Sequence, residues 1–529
     1  MAHDRSEAMD HVVLVVFENR SLDNLLGHLY GPEDGKNFDG VVGKDLSNPI
    51  PEWAEHGADR KAVPYTVATD MDSPNPDTGE EYPHTNTQLY NILSEDNRFK
   101  LGPEISEPWN APESGQDPTM DGFVTDYIST ATTELGRQPT YEEYSQVMTG
   151  FTPDQVPVLN GLARAFGVFD HWFCEVPSQT FPNRSFWTAA TSSGFSVNAP
   201  LTNFLLHNDA ETIFDRIEAH GKTWKVYVSD LASVSFTGLC HMPRLKDRFA
   251  TNFVPFTQFE KDAANGELPN FSFVEPNLQI GHGDYHPACG RALFPGLDLP
   301  VDAPSSILAG EVFLSRLYNA YKSMTSTTGS NVWNTTFFIG WDEPGGTFDH
   351  VPPGPVAPPD PAAPPGQCGF TFDRSSYRVP AIVISPWVDE GKVFNEEYRH
   401  TSMIATLREQ WNLGDPLTGR DAAARTFSHV FTRETPRDPD SWPELDARAA
   451  PESHADKLGM FKGISTLGKA AFSGLAAYAV QHKLDIPGLS SDPKAEVSAE
   501  QAMDILNAVA ATLFPQLTGN DPNRPADSV

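Results

Sequence analysis

The chain has 529 residues and a formal charge of -34, with 71 acidic against 37 basic side chains. This acidic surplus argues against a nucleic-acid partner and against strong adsorption to anionic membranes, but leaves a neutral or zwitterionic lipid open. With 33 Phe and 10 Trp the chain can bury a large core, and its length suits two or three average domains or one large α/β domain with insertions.

Four cysteines, Cys174, Cys240, Cys289 and Cys368, form no CxxC pair, so a cysteine-rich zinc site is not expected. Two disulfides suit an exported protein, and free buried thiols suit either compartment. No apolar run reaches the roughly 20 residues needed to cross a bilayer. The first ten residues are polar and lack the apolar core of a signal peptide. The expected location is therefore cytoplasmic, or secreted or periplasmic after removal of an export signal.

In chain order, the first strong element is Val12 to Phe17, six apolar residues running into Glu18-Asn19. It reads as a buried central strand of an α/β sheet, whose C-terminal end delivers polar side chains to a site. Ser21-Leu22-Asp23 leads into a short helix. Residues 31–150 are polar and rich in Pro, Asn and Asp, and read as a long insertion over one end of the sheet. It carries Glu81-Tyr82-Pro83-His84 and Met120-Asp121-Gly122-Phe123. Pro157 to Phe166 predicts an amphipathic helix, and Gly167 to Trp172 a strand. Thr180 sits just before Pro182 at a predicted helix start, where backbone N–H groups favour an anion. The helix over Phe186 to Thr191 is expected to stop at Gly194.

Glu211 to Tyr227 reads as a helix and a strand. Pro269 to Pro276 is a strand ending in Glu275, followed by a loop with His282 and His286. Glu311 to Met324 is a helix. Asn334 to Trp341 is a strand like the first and runs into Asp342-Glu343, then Gly345-Gly346 and Asp349-His350. Pro352 to Pro365 is Pro/Ala-rich and predicts an extended loop. Val379 to Ser385 is the last clear core strand, and His400-Thr401-Ser402 opens a helix. We place residues 1–416 in one catalytic domain and 417–529 in a small, mainly helical C-terminal part, with helices over 462–483 and 498–514.

Two distant strands thus end in pairs of oxygen ligands, Glu18-Asn19 and Asp342-Glu343. In a parallel sheet those ends share one edge. Three converging carboxylates repel one another unless a cation neutralises them. A divalent metal of open identity is the economical explanation. Thr180 adds a hydroxyl that a metal or base can activate. His84, His282, His286 and His350 lie in polar loops and are candidates for acid–base work.

The blocks ENRSLDN at Glu18, TFPNRS at Thr180, WDEPGGTFDHVPPG at Asp342 and RHTSMIATL at His400 resemble, in order, the signatures of the phosphoesterase family of bacterial acid phosphatases and phospholipases C, including plant non-specific phospholipases C. Leu417 to Asp421 is similar to the continuation in phospholipase C members. The resemblance implies an alkaline-phosphatase-like α/β three-layer sandwich with a mostly parallel sheet. It implies a metal on Glu18, Asn19, Thr180, Asp342 and Glu343, with Thr180 also the nucleophile. It gives His84, His286 and His350 phosphate-contacting and acid–base roles, and leaves His282 unplaced. Phospholipase members tend to carry Thr at the nucleophile position, and phosphatase members Ser. Leu22, Pro344 and Trp341 depart from the usual pattern, and Pro344 removes a histidine common after the acidic pair. The expected activity is metal-dependent phosphoester hydrolysis, as a phospholipase C acting on phospholipid at a membrane surface or as an acid phosphatase-type monoesterase. A non-catalytic phosphate or head-group binder on the same scaffold would have lost the nucleophile or a ligand, and neither is lost. In a purely structural protein, arginines would cap the carboxylate pairs instead.

Overall fold

The computed structural model describes residues 3–229 except 58, then 234–278, 283–287, 306–449 and 466–484, with short pieces between 293 and 298 and between 486 and 517. Eight strands form the central sheet: β1 (His11–Phe17), β2 (Gly167–Phe169), β3 (Trp224–Val228), β4 (Phe253–Pro255), β5 (Phe271–Glu275), β6 (Thr335–Trp341), β7 (Ala381–Ile384) and β8 (Lys392–Phe394). Their order across the sheet is β8-β2-β7-β6-β1-β5-β3-β4.

All residues of β6, and Val12 to Phe17 of β1, are buried. Successive side chains of a strand point to opposite faces, so both faces of the sheet are covered. This explains why these strands read as unbroken apolar runs rather than alternating ones. The fold is mixed α/β with a mostly parallel sheet, as expected. The exception is β7, which runs antiparallel to both β6 and β2. Parallel neighbours need a crossover, usually a helix. The chain between β6 and β7 contains no α-helix, only a short turn at Gln367–Gly369, and it returns the other way. The next strand, β8, pairs parallel to β2 at the sheet's edge.

The helices that matter for the site are α1 (Leu22–Leu26), α2 (Tyr82–Tyr90), α3 (Phe123–Leu135), α4 (Pro157–Ala165), α5 (Thr180–Ala189), α6 (Ile307–Lys322) and α7 (Thr401–Trp411). The insertion over 31–150 is more ordered than its composition suggests. It holds α2 and α3, and with Phe348 and Tyr377 it encloses a second core of Leu89, Phe123, Tyr127 and Tyr144. Its helices escape a hydrophobic-period reading because they bury polar groups: Thr125, Asp126, Ser129 and Thr130 of α3 are all buried. Helix α5 starts at Thr180, earlier than its apolar run, and closes at Ala190 in a left-handed conformation (φ 56°), before Gly194.

In the C-terminal part, α8 (Thr466–Gln481) coincides with the first helix expected there, and most of the second lies outside the described residues. Leu475 and Tyr478 join the main core. Arg420 is buried and ion-paired to Glu175, and its guanidinium also donates to the carbonyl of Phe372.

Candidate active site

Strands β1 and β6 pair in parallel with Phe17 opposite Trp341. That register sets Glu18-Asn19 and Asp342-Glu343 side by side where the strands end, and the Asp342 N–H still donates to the Phe17 carbonyl at 3.0 Å. Asn19 leaves the strand with φ 58°, a left-handed turn that Asn tolerates better than most residues. The loop after Glu343 passes close to it. Gly345 has φ 59°, and a Cβ there would stand 2.3 Å from the Asn19 carbonyl, so only glycine fits.

Helix α5 brings Thr180 and Arg184, one turn apart on the same face, to this point. Thr180 Oγ1 donates to Glu18 Oε2 at 3.4 Å. Arg184 Nη2 lies 2.7 Å from Glu18 Oε1, and its Nε 3.3 Å from Asp342 Oδ2. Glu18, Asn19, Thr180, Arg184, Asp342 and Glu343 are all buried.

The hydrogen bonds divide each ligand candidate in two. Asp342 Oδ1 accepts from the Glu343 N–H at 2.7 Å and the Asn19 N–H at 3.4 Å. Glu343 Oε2 accepts from the Gly345 N–H at 2.7 Å. Asn19 Nδ2 meets His286 Nε2 at 2.9 Å. The remaining atoms, Asn19 Oδ1, Asp342 Oδ2 and Glu343 Oε1, are buried without a hydrogen-bond partner among the described residues. Leaving buried oxygens unpaired is costly. Burial, then Glu18 beside it, pushes the Asp342 carboxyl well above the usual carboxylate range. Burial, then Glu80 and Asp342, does the same to Glu343. Three carboxylates and one guanidinium, which pairs with two of them, leave two negative charges, which a divalent cation would balance. The donor set therefore fits a hard or borderline divalent ion. Arg184 is a partial version of the arginine cap of a structural site: it ion-pairs with Glu18 and Asp342 but not with Asn19 Oδ1 or Glu343 Oε1.

The histidines separate. His286 reaches the ligand set through Asn19, with Glu80 Oε1 3.5 Å from its Nε2 and Asp77 Oδ2 3.8 Å from its Nδ1. Glu80 is held above the ordinary carboxyl range, chiefly by burial. His84, on α2, contacts Asp126 Oδ1 through Nδ1 at 2.8 Å. Burial opposes its charge, but Asp126, with Glu81 and Glu80 behind it, outweighs burial and lifts its pKa to about 9. Its Nε2 is buried, 3.8 Å from Glu81 Oε2, with no hydrogen bond among the described residues. His350 belongs to another group: Nδ1 contacts Asp23 Oδ2 at 2.6 Å and Nε2 Asp39 Oδ1 at 3.2 Å. His282 and Cys289 lie outside the described residues; Cys174, Cys240 and Cys368 are free thiols.

Four contributors were not singled out from the sequence: Arg184, Glu80, Asp77 and His400. Arg184 stands inside the TFPNRS block, four residues after Thr180, and helical spacing alone places it beside the hydroxyl. Glu80 and Asp77 sit in a polar stretch with no periodic signal. Glu275, the acid ending β5, is no ligand. Its oxygens accept from the Ser235 hydroxyl at 2.8 Å and from the Phe236 and Thr237 N–H groups at 2.5 and 3.2 Å.

Comparison with known proteins agrees with the ordered sequence blocks. The Phosphoesterase family model matches residues 9–414. Non-specific phospholipase C6 of Arabidopsis thaliana is 31% identical over 479 residues, 87% of this chain and 80% of that protein. Non-specific phospholipase C1 of the same plant is 32% identical, over 83% of this chain and 74% of that protein. Phospholipase C B of Mycobacterium tuberculosis is 27% identical, over 83% and 80%. A solved protein of the alkaline phosphatase superfamily from Vibrio parahaemolyticus is 14% identical with a TM-score of 0.30, over 63% of this chain and 83% of its own. With the family model matched over residues 9–414 and its blocks in order, the chain belongs to the phosphoesterase family and is a phosphoric ester hydrolase.

Proposed function

We propose that the chain is a metal-dependent phospholipase C that works through a phosphothreonine at Thr180. The observation that carries the mechanism is the set of three buried oxygens of Asn19, Asp342 and Glu343 that lack a hydrogen bond among the described residues, beside a hydroxyl at a helix start. The substrate class is supported by the non-specific phospholipases C of comparable length.

Glu18, Asn19, Asp342, Glu343 and the Thr180 oxygen would hold the metal. When bound, a divalent cation supplies charge neutralisation at the attacking and phosphoryl oxygens. Thr180 gives up its proton to Glu18, the carboxylate it already donates to, and attacks phosphorus. Arg184 keeps Glu18 in place beneath it. His84 is cationic at neutral pH and donates Nε2–H to a phosphoryl oxygen. We assign proton delivery to the leaving alcohol to His286, the histidine in contact with Asn19. Glu80 resupplies that proton, since burial favours its protonated form. Water then attacks the phosphothreonine and gives its proton to the ionised Glu80, while Glu18 returns its proton to the departing Thr180 oxygen. Positioning and charge neutralisation are the main terms, as in phosphoryl transfer generally. His350, committed to Asp23 and Asp39, positions the loop after β6.

Assays with phosphatidylcholine vesicles, nitrophenyl phosphorylcholine and nitrophenyl phosphate test the reading. Release of diacylglycerol and preference for the diester are expected. Faster hydrolysis of the monoester, with no diacylglycerol, would instead make the chain an acid phosphatase.

A further inference from the structure

We propose that His400 is a positioning residue for Asp342, fixing the peptide from which two ligand carboxylates hang; this rests on reading Asp342 and Glu343 as metal ligands. His400 is fully buried immediately before α7 and accepts an N–H from Trp172: the indole Nε1 lies 3.2 Å from its Nδ1. An indole nitrogen can only donate. Nδ1 therefore accepts, and the neutral ring carries its proton on Nε2. That N–H donates to the Asp342 carbonyl at 2.6 Å. Trp187 stacks on the imidazole, with centroids 4.4 Å apart and planes 15° apart, so the ring cannot swing away. Trp187 in turn donates from Nε1 to the Trp341 carbonyl at 3.2 Å.

Two stacked rings thus take consecutive carbonyls at the point where β6 runs out. The carbonyl of Asp342 and the N–H of Glu343 share one rigid peptide plane. Holding that carbonyl fixes the start of both side chains, whose free oxygens belong to the proposed metal site. Outer partners that orient ligands in this way typically matter by 10–100-fold in metal affinity. His400 touches none of the atoms assigned to substrate, so it acts through Asp342.

The test exploits the two ring nitrogens. His400→Gln places an amide donor where Nε2 stands and keeps the bond to Asp342. His400→Asn places an acceptor where Nδ1 stands, keeps the bond to Trp172 and loses the one to Asp342. Titration of chelator-treated full-length protein with Mn2+ and with Zn2+ should show H400N weakened by about 10–100-fold and H400Q close to wild type. Equal, wild-type affinity in both variants would overturn the proposal. Absence of binding by the wild-type chain would be a failure of the metal reading itself. Nitrogen NMR of 15N-histidine-labelled wild type, with H400Q used to assign the signal, needs neither metal nor a folded H400N. It should show the Nε2–H tautomer; an Nδ1–H tautomer would overturn the proposal.

Discussion

Two carboxylate clusters, only a few residues apart in sequence, meet opposite fates in this molecule. Glu18 and Asp342 share one arginine, Arg184, which does not pair with the neighbouring Glu343, and Asp342 Oδ2 and Glu343 Oε1 have no hydrogen-bond partner among the described residues. Asp23 and Asp349 share Arg378, with Nη2 2.9 Å from Asp23 Oδ1 and Nε 2.9 Å from Asp349 Oδ1. His350 takes the other oxygen of Asp23, and the Asp23 N–H donates to Asp349 Oδ2 at 3.2 Å. Among the described residues no side-chain oxygen of that second cluster is left unpaired. Asp23, Asp349 and His350 also lie close enough together to suggest a metal site. Their saturation by Arg378 gives them a structural role: they tie α1 to the loop after β6, alongside Ser21, whose N–H donates to Thr347 Oγ1 at 2.9 Å and whose hydroxyl donates to the Phe348 carbonyl at 2.6 Å. Proximity of acidic groups does not make a ligand set; unsatisfied buried oxygens do.

Substitutions that treat the two clusters alike should give opposite results. The largest effect is expected at the nucleophile. Thr180→Ala should cut kcat by about four orders of magnitude or more, with bound metal, measured by elemental analysis, still present; substantial turnover in this variant would remove the phosphothreonine. Next, Asp342→Asn should weaken metal binding by about 100-fold or more, seen by calorimetry. In the presence of chelator its Tm should rise above wild type, because a repelling charge is gone. Asp349→Asn should do the reverse: metal affinity stays, and stability to urea falls by about 3 kcal/mol, the cost of leaving a buried guanidinium short of a partner.

A smaller effect concerns pH. Burial opposes the charge of His350, but Asp23, Asp39 and Asp349 outweigh it and raise its pKa to about 9. The folded chain therefore binds this proton more tightly than the unfolded one. Its stabilisation is complete below pH ~6.5, the usual histidine value, and is lost as pH rises through about 9. His350→Gln should flatten the fall in Tm over that window, a difference of up to about 3 kcal/mol in all. The same fall in both proteins would detach His350 from the cluster.

The half of the site carried by β1 and β6 was legible because two buried strands ended in oxygen ligands and a parallel sheet gathers such ends. Thr180 was legible through Pro182 and the helix start. The division of labour among the histidines was not. His84 and His350 look alike in sequence, each in a polar stretch, and differ only in the acids that reach them from distant segments: Asp126 for one, Asp23 and Asp39 for the other. His400 read as the start of a helix and of a family block but without a role of its own, since that role depends on Trp172 and Trp187, more than 200 residues earlier. Within the insertion, Asp126 and Gln88 are buried against each other at 2.8 Å, and polar residues that satisfy one another erase the apolar period that marks a helix. The reversed direction of β7 was likewise hidden, because it depends on the absence of a crossover helix rather than on the strand's own residues.

The contrast between the two clusters is tested most directly by one crystal soaked in Mn2+ and vanadate and measured at an energy where manganese scatters anomalously. We expect a manganese peak among Glu18, Asn19, Asp342 and Glu343, with vanadate against Thr180 Oγ1. A peak instead among Asp23, Asp349 and His350, or vanadate bound away from Thr180, would contradict the assignment.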